Sequence, residues 1–367
     1  MNKQNLVNYL NEQKRNFIIP LISILLSLFI SSILISLMGV NPFEAYKYLF
    51  SGALGSVNGI SETIVKATPL ILTALTFALS MKCGIVNIGA EGQLYIGALS
   101  ATLVGILFPP MPMLLHLPLA IIVGFIGGGV WGLLAGILKV KFSANEIITT
   151  IMLNYVAIYF VGFMINGPLL EPPGFLRQTA KVAEGARLPR IFSGSRLHMG
   201  IFIALIALIF YYVFLKKTKQ GYQVKVVGEN KRAAKYAGMN VFSSILLVMF
   251  ISGGFAGLAG SGEILGVQTR LLEGFSNGLG FDGIAVALLG RNHPVGILFA
   301  AIFFGAIRSG GNIMQLSTGL PIAVIYIIQA LAVIFVVGGE LFRREGFKPF
   351  KNILNKIKGM KVSADGN

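Results

Sequence analysis

Apolar runs near the length of a membrane-spanning helix alternate with short polar connections along most of the chain. A helix needs about 20 apolar residues to cross the hydrocarbon core of a bilayer. Ten such runs are found, at 17–39, 63–81, 88–108, 118–138, 147–166, 199–215, 241–262, 281–290, 295–308 and 321–338. The eighth and ninth are short for complete spans. The pattern predicts an all-α integral membrane protein with about ten transmembrane helices, some of them short or broken.

Composition favours the membrane over water. Hydrophobic residues make up 55% of the 367 and charged residues only 12%, with a mean hydropathy of +0.78. Soluble domains carry about 25% charged residues, so a soluble helical protein is a poor match. The run at 17–39 is too long for the apolar core of a signal peptide and lacks a small-residue cleavage site. It is therefore interpreted as a retained first span.

Basic residues indicate the orientation. With a cytoplasmic N-terminus, 21 of the 30 Lys and Arg residues fall in cytoplasmic segments, as the positive-inside rule requires. Both termini are thus expected in the cytoplasm, with tails at 1–16 and 339–367 around a transmembrane domain at 17–338. The formal net charge of +16 then reflects topology and anionic lipid, and no nucleic-acid partner is expected.

Little in the sequence points to covalent chemistry. The chain has one cysteine, Cys83, and three histidines without metal-ligand spacing, so neither a disulfide nor a metal site is expected. The phosphate-binding pattern G-x-x-x-x-G-K-[ST] is also absent from the sequence. We therefore expect no catalytic residue, no cofactor and no ATPase site in this chain, and a membrane enzyme is the least favoured class.

Two short passages resemble each other across the chain. Gly89-Ala90-Glu91-Gly92 and Gly280-Phe281-Asp282-Gly283 both read glycine, apolar, acid, glycine, and each opens an apolar run. They open the third and the eighth run, which are equivalent positions in two five-helix halves. Because five is odd, the second half enters the membrane upside down. The sequence predicts two inverted five-helix repeats, at about 17–166 and 198–338, an arrangement typical of transporters.

Polar groups at these helix starts are candidates for a translocation path. A helix that begins inside the membrane points free N–H groups and its positive end into the protein. Glu91 and Asp282 can cap such helices, line the path, or do both. A polar stripe on the fifth run, Glu146, Thr149, Thr150 and Asn154, either packs on a neighbouring helix or meets substrate. The candidate path residues are Asn87, Glu91, Gln93, Asn154, Phe281 and Asp282.

Small residues repeat every four positions in the seventh run, at Gly253, Gly257 and Ser261. This spacing lets two helices approach closely within a membrane. We expect a packing role here rather than phosphate binding.

The longest internal cytoplasmic segment, 216–240, contains a short predicted helix. Glu229 or Asn230 would start it, Ala233 and Ala234 favour helix, and Gly238 would stop it. A short helix with an alanine face and a basic rim suits docking on a soluble partner. An ordinary solvated connector is the alternative.

Four passages carry a resemblance to a known family: 84–93, 145–155, 228–238 and 280–291. The chain resembles the permease subunits of bacterial ABC importers, in the branch of ribose, simple-sugar and branched-chain amino-acid permeases. Within that branch it is most similar to nucleoside permeases. The resemblance covers about 63–338.

The resemblance implies a bacterial inner-membrane protein and several partners. These are two ATPase subunits that bind ATP and Mg, a second identical or similar permease, and an extracytoplasmic substrate-binding lipoprotein. The positions matching the family's coupling helix are Gly228, Glu229, Asn230, Ala233, Ala234 and Gly238. The basic outer loop at 167–197 is a hypothetical docking surface for the binding protein.

Two other functions stay open. The first is the same machinery with ribose, another simple sugar or a branched-chain amino acid as its substrate. An ion-coupled secondary transporter, which inverted repeats also permit, is the second. A carrier of that kind has no need of the docking helix in 216–240, which separates the two classes.

Overall fold

The computed structural model describes residues 22–109, 111–192 and 194–345, and within these ranges the chain is helical, with isolated β-bridges and no strand. The helices are α1 (Ile22–Leu37), α2 (Pro42–Leu54), α3 (Val57–Lys82), α4 (Ala90–Leu107), α5 (Met113–Phe142), α6 (Glu146–Asn166), α7 (Gly200–Lys217), α8 (Lys219–Glu229), α9 (Lys231–Tyr236), α10 (Val241–Glu263), α11 (Leu279–Leu289), α12 (Pro294–Thr318) and α13 (Ala323–Glu345). A π-helical turn, Ile264–Gln268, extends α10.

Seven helices of the described ranges are long and apolar enough to cross a membrane: α3, α4, α5, α6, α7, α10 with its π-turn, and α12. Shorter apolar helices lie at Ile22–Leu37, Leu279–Leu289 and Ala323–Val336. The all-helical membrane class predicted from sequence is confirmed. That ten helices cross the bilayer stays a prediction.

Helix lengths differ from the sequence prediction at several places. The ninth run was expected to be short, but α12 has 25 residues, so that expectation was wrong. Helix α13 continues to Glu345, into the segment predicted as tail. Helices α2 and α8 were not predicted, since both mix charged and apolar residues. The predicted tail at 1–16, and 346–367 of the other, lie outside the described residues.

The segment from Ala45 to Gly319 forms one compact unit, with α10 near its centre against α3, α4 and α5. A side chain at Gly253 would strike the Gly128 carbonyl, and one at Gly257 would strike the Gly124 carbonyl. The Ser261 hydroxyl lies where a Gly124 side chain would be. The predicted small-residue packing of this helix is confirmed, and α5 is its partner.

The two ends of this unit along the helix axes are identified by the contacts made there. At the end called here the Lys82 end, α3 stops beside Gly228, and the Tyr211 hydroxyl near the end of α7 donates to the Asn292 carbonyl after α11, at 2.8 Å. At the opposite end, the loop end, the 167–199 loop covers α4 and α10. There Ala183 N donates to the Gly105 carbonyl at 2.9 Å.

Candidate functional site

Two helices begin inside the bundle and meet start to start. Segment 83–89 leads inward from the Lys82 end to α4, which runs to the loop end; segment 269–278 leads inward from the loop end to α11, which runs to the Lys82 end. At 1.5 Å per residue, α11 is about 16 Å long and α4 about 27 Å. Their starts therefore lie at membrane depth, well away from both ends.

Glu91 joins the two starts. Its Oε2 atom accepts a hydrogen bond from the backbone nitrogen of Gly280 at 2.7 Å, and its side chain is buried. The first N–H groups of a helix have no partner within that helix, and Gly278 at the α11 N-cap supplies no side chain. Glu91 thus caps α11 and not its own helix. Gly280 must be glycine, because a Cβ there would strike the Glu91 backbone.

Asn87 and Gln93 hold the segment before α4. Their side-chain amides form two reciprocal hydrogen bonds of 3.3 Å, and both are buried. The Asn87 oxygen also accepts from Gly89 N at 2.9 Å, and its nitrogen reaches Ser252 Oγ on α10 at 3.4 Å. The Gly89 N–H in this non-helical segment is therefore satisfied by a protein group, as backbone groups inside a membrane must be.

Helix α6 supports the same segment. Asn154 accepts from Gly92 N at 2.8 Å and donates to the Ile88 carbonyl at 3.0 Å. Thr150 Oγ1 accepts from Ile88 N at 3.3 Å. Thr150 and Asn154, two members of the predicted polar stripe, therefore pack against the start of α4. Glu146, at the stripe's end, instead pairs with Lys139 at 2.6 Å.

The start of α11 exposes two of the predicted path residues. Phe281 is 43% exposed, and Asp282 pairs with Arg308 of α12 at 2.5 Å, with side-chain exposures of 24% and 14%. Asn87, Glu91, Gln93 and Asn154 are each buried. Sequence analysis missed Arg308, although a lone basic residue inside an apolar run is itself a signal of function.

The short helix predicted within 216–240 is present and begins where expected. Asn230 Oδ1 accepts from Arg232 N and Ala233 N, both at 3.0 Å, and so caps α9. The helix ends before Gly238, whose φ of +73° favours glycine. Ala234 is buried toward the bundle, so it anchors the helix. The outward face includes the exposed Ala233 and Tyr236, and Tyr236 is 94% exposed. Tyr236 was not among the coupling residues predicted from the sequence.

Residues 228–238, called here the docking segment after their predicted role, rest directly on the connection that leads to α4. Gly84 has a φ of +71°, and a Cβ there would lie 3.1 Å from the Gly228 carbonyl oxygen. A Cβ at Gly228 would in turn strike the Lys82 carbonyl. Backbone therefore touches backbone without any side chain between, and a displacement at Gly228 must move segment 83–89.

The basic residues of the 167–199 loop divide into paired and unpaired groups. Arg196 forms two 2.7 Å bonds to Glu62, which raise the pKa of its guanidinium, and Arg177 reaches Glu273 at 3.3 Å. Lys181 and Arg190 are exposed. The loop thus has fewer basic side chains available to bind a partner than its composition suggested.

A helical membrane protein whose discontinuous helices meet at membrane depth is typical of a transporter. The chain belongs to the family described as branched-chain amino acid transport system, permease component, which matches residues 59–337. This confirms the permease resemblance drawn from the sequence motifs.

Several ABC transporter permeases are similar to this chain over 89% of its length. The guanosine ABC transporter permease protein NupP of Bacillus subtilis is 38% identical, covering 89% of this chain and 95% of that protein. The nucleoside ABC transporter permease protein NupB of Lactococcus lactis is 36% identical, with coverage of 89% and 92%. The glucose ABC transporter permease protein TsgB13 of Haloferax volcanii is 35% identical, with coverage of 89% and 88%. No solved structure matches.

Proposed function

We propose that this chain is the permease subunit of an ATP-driven importer that carries nucleosides across a bacterial cytoplasmic membrane by alternating access. The observation that carries the proposal is its similarity, at 36–38% identity over 89% of the chain, to guanosine and nucleoside permeases. The meeting of α4 and α11 at membrane depth supports a transport path at that point.

The path runs beside the starts of α4 and α11. These two helices are equivalent members of inverted repeats at about 17–166 and 198–338. Their opposite directions and the contact of Glu91 with Gly280 support this assignment. Phe281 and Asp282 face the path. Asn87, Glu91, Gln93 and Asn154 fix the helix starts, and move with them when the permease changes state.

ATP hydrolysis reaches the path through the docking segment. Two partner ATPases bind ATP and Mg, and α9 with Glu229, Ala233 and Tyr236 docks on them. Closure of the ATPases displaces α9, then Gly228, then Gly84 and the segment leading to Glu91. The backbone contact of Gly228 with Gly84 supports this route. The chain itself makes and breaks no covalent bond.

The remaining partners follow from the same proposal. A second permease, identical or similar, completes the transmembrane unit. The substrate-binding lipoprotein docks on the loop end, where exposed Lys181 and Arg190 attract an acidic surface. Both termini lie in the cytoplasm, and Lys82, Lys139 and Lys216 lie on the same side, in accord with the positive-inside rule.

Sugar import is the second candidate. The 35% identity to a glucose permease over the same share of the chain favours it as an alternative. Ion-coupled carriage is disfavoured by the family match and by the presence of α9 with an outward face. A carrier driven by an ion gradient has no ATPase to dock.

Competition uptake separates the candidates. In cells that depend on this permease, uptake of labelled guanosine should be blocked by purine nucleosides and unaffected by ribose, glucose or leucine. Exclusive competition by a sugar or by leucine would replace the nucleoside proposal. Uptake that persists after Glu229, at the end of α8, and Ala233 in α9 are altered, and that follows a proton or sodium gradient, would favour the ion-coupled carrier.

A further inference from the structure

The charged pair Asp282–Arg308 lies well inside the helical bundle, far from either end of the candidate span α12. Asp282 is in the first turn of α11, whose end lies about 10 Å further toward the Lys82 end at 1.5 Å per residue. Arg308 is 14 residues from the start of α12 and 10 from its end, or about 21 and 15 Å. The side chains meet at 2.5 Å, and Arg308 Nη2 also reaches the Asn277 carbonyl at 3.4 Å.

The described residues do not enclose this pair completely. The side chains of Asp282 and Arg308 keep 24% and 14% of their surface, beside the 43% exposed ring of Phe281. Charged groups at membrane depth face protein or water and not lipid, because contact with hydrocarbon is costly. The open side of the pair therefore faces the interior of the assembled transporter.

Arg308 also has unused hydrogen-bonding capacity. Its Nε atom is buried and has no hydrogen-bond partner within the described residues. A buried guanidinium N–H without an acceptor is unfavourable, so a change of state that opens this site would let an acceptor on a passing molecule satisfy it. The planar fork of arginine fixes the direction of that donor, and the compact ammonium of lysine does not.

We propose that Arg308 and Asp282 together form a substrate-contacting element of the path, which selects uncharged polar molecules with hydrogen-bond donors and acceptors, such as nucleosides. This inference rests on the proposed function and deepens it. Because the pair is net neutral, it offers no counter-charge to a net anion or cation leaving water. When the site opens, a neutral molecule can accept from the Nε–H and donate to the carboxylate without breaking the pair. A zwitterionic amino acid would have to separate the two charges, at the cost of a buried ion pair.

The test uses proteoliposomes that contain the complete transporter, and it measures import of labelled guanosine and ATP hydrolysis in parallel. Arg308→Lys keeps the charge and removes the fork, and is expected to lower the maximal import rate about tenfold while ATP hydrolysis stays unchanged. Asp282→Asn leaves Arg308 without its counter-charge, so a larger loss is expected. The control is Lys47→Arg, an equally conservative exchange at an exposed residue of α2, outside the helix starts and both docking surfaces, which should leave both rates unchanged.

Two results would overturn the proposal. One is import by Arg308→Lys at the wild-type rate. The other is a proportional fall of import and ATP hydrolysis, as expected of a pair that only holds α11 against α12. Failure of the proposed function has a different signature, since the wild-type transporter would then carry no guanosine. If the transporter carries ribose instead of guanosine, the same variants measured with ribose decide the role of the pair. If it carries leucine, the proposal that the pair selects uncharged polar substrates is wrong.

Discussion

Glu91 in α4 accepts a hydrogen bond from the backbone nitrogen of Gly280 in α11 at 2.7 Å, across 189 residues of sequence. The start of α11 therefore depends on a residue of α4. A carboxylate from the first half of the chain satisfies an N–H at the start of a helix in the second half. Any movement that opens a path between the halves must break or shift this contact.

Glu91→Ala should destabilise the protein, because it leaves the Gly280 N–H buried without an acceptor. The expected loss is about 1–3 kcal/mol, with a lower thermal unfolding midpoint in detergent. Glu91→Gln keeps an acceptor and should lose less. The control is Glu184→Ala, at a side chain that is 93% exposed. Equal midpoints for Glu91→Ala and Glu184→Ala would contradict the capping role.

Gly84→Ala and Gly228→Ala should uncouple ATP hydrolysis from import. Each adds a Cβ where the two backbones touch, so the docking segment can no longer settle on segment 83–89. We expect import to fall about tenfold or more while ATP hydrolysis continues, a barrier change of at least about 1.4 kcal/mol. Both rates are measured in proteoliposomes of the complete transporter.

Two glycines serve as matched controls for this experiment. Gly319 has the same φ of +71° as Gly84 but no atom within 4 Å of an added Cβ, so Gly319→Ala carries the backbone strain alone. Gly262→Ala is the control for Gly228→Ala, because both glycines are helical but Gly262 has no atom within 4 Å of an added Cβ. If Gly319→Ala uncouples as strongly as Gly84→Ala, strain and not contact is the cause.

Stability should fall in acid through His198. Burial lowers the pKa of this imidazole from 6.5 to about 4, and its Nδ1 accepts from Gly200 N at 3.1 Å. Glu263 lines the same small cavity. The folded state prefers the neutral ring. The contribution of His198 to the free energy of unfolding is therefore complete above pH 6.5 and is lost as the pH falls toward 4. The total is about 3 kcal/mol at most.

The measurement is the thermal unfolding midpoint between pH 7.5 and pH 4. His198→Gln retains an acceptor and cannot gain the ring's proton, so its midpoint should vary less over this range. A wild-type curve as flat as that of His198→Gln would contradict the assignment.

Charge reversal at the loop end should weaken docking of the binding protein. Lys181→Glu with Arg190→Glu removes two exposed cations, and the dissociation constant should rise at low salt and converge with wild type at high salt. The dissociation constant is measured by surface plasmon resonance, with the binding protein passed over immobilised permease. Reversal of Lys217 and Lys219, at the Lys82 end, is the control, and an equal effect there would show that net charge alone is responsible.

Local signals in the sequence predicted local structure well. Asn230 before two alanines predicted the start of α9, and the spacing of Gly253 and Gly257 predicted close helix packing. Both signals act within a few residues of the structure that they specify. The candidate path residues could be selected in this way too, because glycine and acid stand together at each helix start.

Long-range contacts could not be predicted in the same way. The partner of Glu91 lies 189 residues away, and nothing near Glu91 identifies it. The length of α12 was missed for a related reason. Its apolar run is interrupted by Arg308, which the membrane tolerates because Asp282 of α11 neutralises it.

The account depends on a water-accessible path beside the start of α11, and cysteine labelling at Phe281 tests this most directly. In a Cys83→Ala background, Phe281→Cys should react with a charged, membrane-impermeant thiol reagent, and guanosine-loaded binding protein with ATP should change the rate. Ile206→Cys, at a 65% exposed apolar position in α7, should react only with a lipid-soluble reagent. If Phe281→Cys behaves as Ile206→Cys does, the start of α11 faces lipid and the proposed path is wrong.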